Sequence, residues 1–168
     1  VIELVQFINP LNLYISGAID ATLGKSYNEE VLFSMSGVTP GSVLRFSELG
    51  FDYPEDGLYV TEAFFKKHPQ QCRQFAEASR KGWEWVRNNR KEALEIVMKH
   101  VKEANVPTNR YNQKWMLETI LEAQEDVKRE MPSYQLGTDA FHRLNETLLK
   151  YGYISKPVVY KRFTGDNQ

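Results

Sequence analysis

Apolar residues follow two different rhythms along the chain. Before about residue 60 they come in short runs broken by Gly, Pro, Asn or Asp, and after Thr61 they recur every three or four residues. Val1–Phe7 is rich in Val, Ile and Phe, as suits a strand buried on both faces. Asn9-Pro10 is an N-cap followed by proline at the first helical position. The helix it opens carries Leu11, Leu13, Tyr14 and Ile15 and closes at Gly17. Ala18–Leu23 reads as another short strand. Ser26 caps the next helix, with Glu29 three residues later completing a capping box, and that helix holds Val31, Leu32 and Met35 before Gly37. This alternation predicts a parallel α/β layer.

Around residue 38 the character changes. Pro40-Gly41 marks a turn, Val43–Phe46 and Leu58–Val60 read as short strands, and a loop between Gly50 and Gly57 carries Asp52, Tyr53 and Pro54. Thr61 then opens a helical region. Pro69 starts a helix whose Cys72, Phe75, Ala76, Ser79, Gly82, Trp83 and Val86 share one face, and Asn88-Asn89 ends it. A helix over about 91–103 buries Ala93, Leu94, Val97, Met98 and Val101. Thr108 or Asn109 caps a longer one, with Leu117, Ile120, Leu121, Gln124 and Val127 on one side and an end near Met131-Pro132. Asp139 caps a last helix, closed by Gly152, and residues 154–163 read as an extended tail. There is no internal repeat. These stripes call for more sheet than the short strands supply, so the chain is expected to associate with a missing half or with itself.

Composition narrows the classes. With 42% hydrophobic and 26% charged residues the chain is of globular type, and a net charge of −1 gives no general attraction to nucleic acid or anionic lipid. No apolar run approaches the ~20 residues of a membrane span. Cys72 is the single cysteine, so there is no disulfide framework within the chain. The chain opens at Val1 inside an apolar stretch, as a segment cut from something longer would, whereas the polar Gly165–Gln168 fits a natural end.

Most candidate chemistry has a plain structural reading. His68 and Cys72 lie four apart, yet Pro69 stands between them and Cys72 falls on an apolar stripe, as a packed cysteine would. No His, Cys or carboxylate spacing fits a metal, and no cofactor motif is present. The run from Arg80 to Lys91 mixes cations with Trp83 and Trp85. Arg80, Arg87 and Lys91 are expected on a solvated face, with no nucleic-acid partner. Asn145-Glu146-Thr147 has the form of a glycosylation acceptor but sits mid-helix. The segment from Gly17 to Glu30 stands apart. A strand, a polar loop and a helix start bring together Lys25, Ser26, Tyr27, Asn28 and Glu30: a cation, a hydroxyl, an aromatic ring, an amide and a carboxylate. In open α/β sheets such loops hold ligands. A capping box with a solvated first turn explains the same residues equally well.

These residues resemble the solute-binding proteins of ABC transporters, in the group for thiamine pyrimidine precursors, nitrate, sulfonates and taurine. Ser16–Ala21 is similar to that group's Gly-x-Val/Ile-Asp-Ala strand, and Tyr27-Asn28-x-Glu30 with Gly37 resembles the thiamine-precursor branch. Leu58-Tyr59-Val60-Thr61-Glu62-x-Phe64, then His68-Pro69, Phe75, Ala78 and Gly82, resembles the passage into the family's long helix. Asn89 and Glu92-Ala93 echo its next turn, with Arg90 where proline is usual. Gly152-Tyr153-Ile154-x-Lys156-Pro157 and Phe163-Thr164 resemble its ending.

The resemblance covers the C-terminal part of the family's length. It implies an α/β, bilobal periplasmic-binding fold of type II-like form, with a helix-rich C-terminal portion. Residues 1–37 would finish the second lobe and 38–168 the first. It further implies binding of a small solute outside the cytoplasm and delivery to an ABC permease, with no catalytic residues. Tyr27, Asn28 and Glu30 match the family's cleft motif. Asp52 and Tyr53 sit in the loop returning to the first lobe, where a ring could stack on a flat solute, and Lys25 and Ser26 are further candidates. A sensory module of a membrane signalling protein is the alternative that flanking sequence would decide. The related fungal pyrimidine synthase is disfavoured, because its cysteine cluster is absent here.

Overall fold

The computed structural model describes residues 3–6, 10–53, 56–130 and 134–165, with the side chains of 10 and 126–130 outside that description. Its regular elements are helical: α1 Pro10–Ile15, α2 Glu29–Met35, a 3-10 turn at Ser47–Leu49, α3 Glu62–Lys67, α4 Pro69–Asn88, α5 Arg90–Glu103, α6 Arg110–Glu130, α7 Thr138–Lys150 and α8 Tyr160–Thr164. Several starts and stops have a local cause. Gly17 and Gly152 take φ of +72° and +74°, the left-handed conformation that ends α1 and α7. Thr61 Oγ1 accepts the Phe64 N–H at 3.2 Å, Pro69 opens α4, and Asn109 Oδ1 accepts the Asn112 N–H at 3.0 Å. The expected cap at Asn9 lies outside the described residues.

The expected strands are corrected. Among the described residues there is no strand: 18–23, 43–46 and 58–60 are irregular or turn, as are residues 3–6 of the first expected strand, whose ends fall outside the description. Strand-like sequence makes a strand only when a second backbone satisfies its N–H and C=O groups. The apolar side chains of these segments face water accordingly, with Leu4 90% exposed and Leu23 and Leu44 each 74% exposed. The fold is therefore helix-rich, and its α/β character is not expressed in these residues. Two smaller corrections concern the C-terminal end. Asp139 lies inside the first turn of α7 rather than capping it, and the tail winds into α8 instead of remaining extended.

The chain divides into two compact units, residues 1–43 with 89–124 and residues 44–88 with 125–168. The first is built on Val31, Phe33, Ala93, Leu94 and Leu121, all buried, with the Tyr14 ring set edge-on to Phe33 at 5.2 Å. Full burial of a side chain such as Leu121 is worth about 1.5–3 kcal/mol. Helices α5 and α6 run antiparallel, because Arg90 pairs with Glu118 while Glu95 receives Arg110 at 2.9 Å. The Arg110 guanidinium beside Glu95 holds that carboxyl below the ordinary glutamate range.

In the second unit Phe141 is the buried centre, with Tyr160 and Phe163 rings 5.3 and 5.4 Å away. Asn145, also buried, donates through Nδ2 to the Val158 carbonyl at 3.0 Å and accepts the Val158 N–H at 3.1 Å. One side-chain amide thus pairs with the tail as a neighbouring strand would. This engagement explains why Asn145 in its glycosylation-like setting is architectural. The face of α4 expected in the core is not buried: Phe75 is 64% exposed and Trp83 is 38% exposed. Arg87, expected to point outward, is instead tucked in, with its side chain 13% exposed and paired to Glu125.

Candidate functional site

Residues 24–30 form one closed turn leading into α2. The Lys25 carbonyl accepts the N–H groups of Asn28 at 3.0 Å and Glu30 at 3.3 Å, and the Lys25 N–H donates to Glu29 Oε2 at 2.8 Å. Gly24 allows the chain to lie this close to its own helix, since a Cβ there would sit 3.0 Å from Glu29 Cβ. The expected capping box is therefore displaced. The Glu29 carboxylate does reach back, but to Lys25 rather than Ser26, and α2 begins only at Glu29. The backbone bonds of the turn close over residues 25–30, and Ser26 stands two positions before the N-cap, Asn28.

This turn brings Lys25, Ser26, Tyr27, Asn28 and Glu30 together at the surface of the first unit. The Lys25 ammonium stands 5.4 Å from the centre of the Tyr27 ring, and Asn28 Nδ2 donates to Glu29 Oε1 at 3.3 Å. Tyr27 and Asn28 are half-buried, whereas Lys25, Ser26 and Glu30 are exposed. Two carboxylates, Glu29 and Glu30, lie in the first turn of α2, where the positive end of the helix favours them. With one lysine against two carboxylates, the turn has an excess of negative charge.

Asp52 and Tyr53 belong to the second unit. Asp52 is exposed. The Tyr53 hydroxyl shares a 2.7 Å hydrogen bond with Thr147 Oγ1 on α7, and its ring meets Phe51 edge-on at 6.5 Å. This tyrosine is anchored at its polar tip.

Sequence reasoning missed Trp115. Its indole Nε1 donates to the Ser26 carbonyl at 3.1 Å, joining α6 to the turn across the first unit, and its ring remains 39% exposed. A signal was present. Trp115 lies on the opposite side of α6 from the Leu117–Ile120–Leu121–Gln124 stripe, and a tryptophan off the apolar face calls for a reason. Among the described residues no group of His, Cys, Asp and Glu could hold a metal ion, and no helix is long and apolar enough to cross a membrane.

A family model described as NMT1/THI5 like matches residues 2–93, more than half of the chain. The chain belongs to the NMT1/THI5-like family. Its members are ABC-transporter solute-binding proteins of the nitrate, sulfonate and thiamine-precursor group, with a pyrimidine synthase among them. Membership in the NMT1/THI5-like family implies a small-molecule solute, an ABC permease as partner and an extracytoplasmic place of action. No curated protein and no solved structure gives a match. The NMT1/THI5-like match takes in the 24–30 turn, Asp52 and Tyr53, and ends before Trp115.

Proposed function

We propose that the protein binds a flat, nitrogen-rich solute of the aminopyrimidine type and delivers it to an ABC permease, without chemical turnover. Family membership supports the transport role. The observation that carries the choice of solute is the acidic 24–30 turn. An exocyclic amine meets an acceptor in the Glu30 carboxylate, a heterocycle meets the Tyr27 ring, and Asn28 supplies an amide for ring nitrogens. Nitrate or a sulfonate would instead face Glu29 and Glu30, with Lys25 already drawn over Tyr27. On this reading residues 1–37 complete one lobe of a bilobal binder and 38–168 the other. Asp52, Tyr53, Lys25 and Ser26 are lesser contributors to the cleft.

Calorimetric titration of the full-length protein tests this with 4-amino-5-hydroxymethyl-2-methylpyrimidine, taurine and nitrate. The pyrimidine is expected to bind, and Glu30→Gln to weaken it about tenfold or more, as loss of a charge-assisted hydrogen bond does. Binding of taurine or nitrate in its place would refute the solute assignment. Silence with all three would remove the support for transport.

A further inference from the structure

The indole–carbonyl bond ties the 24–30 turn to α6 across 89 positions of sequence, whereas the bonds among Lys25, Asn28, Glu29 and Glu30 are local. These local bonds fix the turn's internal shape: Asn28 and Glu30 to the Lys25 carbonyl, Lys25 to Glu29, and Asn28 to Glu29. The turn is joined to the body of the unit through α2, whose Val31 and Phe33 are buried, and through the Trp115 bond. That body holds α6 through Leu121, buried as are Ala93 and Leu94 of α5, with the exposed pairs Arg110–Glu95 and Arg90–Glu118 on either side of Trp115 in sequence. A rigid helix therefore holds one end of the bond, and a short closed turn bearing Lys25, Tyr27 and Asn28 holds the other.

We propose that Trp115 is a positioning residue for solute binding, its indole N–H latching the 24–30 turn to α6 so that Tyr27, Asn28 and Glu30 are presented in one arrangement. This rests on the solute-binding reading of the turn. The donor is well chosen for the task. The indole N–H donates and cannot accept, so it has one way to engage a carbonyl, and the ring has only two side-chain torsions to order. Because the bond lies at a half-exposed edge, water competes for both partners. The latch is strong enough to bias the turn and weak enough to yield.

Trp115→Phe keeps an aromatic ring of similar bulk and removes the donor, and the full-length protein provides two measurements. In hydrogen exchange without ligand, the amides of Lys25, Asn28 and Glu30 are expected to exchange roughly three- to tenfold faster in the variant, the range given by loss of one net hydrogen bond. The thermal midpoint is expected to stay in place. In calorimetry with 4-amino-5-hydroxymethyl-2-methylpyrimidine, affinity is expected to fall by a similar factor, and Trp115→His, which retains a ring N–H, to recover part of it. Unchanged exchange would overturn the latch whatever the ligand result. Faster exchange with unchanged affinity would leave Trp115 merely architectural and overturn the positioning role. If the wild type binds none of the three solutes named above, the functional reading fails and the positioning role with it, while the exchange data still report whether the latch exists.

Discussion

The two units use one device at different strengths. In the second, Asn145 clamps Val158 through two bonds, 3.0 and 3.1 Å long, from a buried position beside Phe141. In the first, Trp115 holds Ser26 through a single bond at an exposed edge. Both pair a side chain with a main-chain group, 13 positions away for Asn145 and 89 for Trp115. Burial makes the difference, because a buried polar group deprived of its partner loses free energy that water restores to an exposed one. The clamp is thus architecture, whereas the latch is adjustable, and the adjustable one lies where the solute is proposed to bind.

The largest effect should come from the clamp's apolar setting. Phe141→Ala removes the ring that Tyr160 and Phe163 pack against and is expected to cost about 3–5 kcal/mol, read as a lower urea midpoint. Asn145→Ala leaves the ring cluster but strips both partners from Val158, and should cost about 1–3 kcal/mol by the same assay. A loss near zero would make the clamp no firmer than the latch. Gly24→Ala probes the other side of the comparison. A methyl group forced to 3.0 Å from Glu29 should tilt the turn, weakening pyrimidine binding severalfold while costing about 1 kcal/mol or less in stability.

Acid titration should give the smallest effect. Glu77 is held down to about 2, chiefly by its hydrogen bonds from Arg80, and Glu62 and Glu95 are lowered by Lys66 with Arg162 and by Arg110. Carboxyls lowered in the folded state stabilise above their unfolded value and lose that contribution as the pH falls through the folded one. A slight loss of stability is therefore expected only below about pH 4.5, continuing toward about pH 2 for Glu77, and high salt should flatten it.

Helix boundaries were legible in the sequence because their causes are local: Pro10, Gly17, Thr61, Pro69, Asn89, Asn109 and Gly152 each act within one turn of their own position. Strands were not, because Ala18–Leu23 and Leu58–Val60 carry the right residues but depend on a neighbouring backbone that no local pattern can supply. The failures at α2 and α7 have a related origin. Ser26 and Asp139 are good caps by type, but at Ser26 a backbone turn closed first, and at α7 the cap is Gly137, two residues before Asp139. For the candidate site, composition placed five residues on one turn and the structure keeps them there. It could not show that a tryptophan some ninety positions later would grip the same turn, since the partner is a carbonyl that every residue possesses.

The Trp115–Ser26 bond bears on how the turn can vary. The indole grips the main chain at position 26, so the side chain there has no part in the grip and can drift from serine without loosening it. Relatives that carry the same tryptophan could therefore exchange residue 26 to suit other cargoes and keep the same frame.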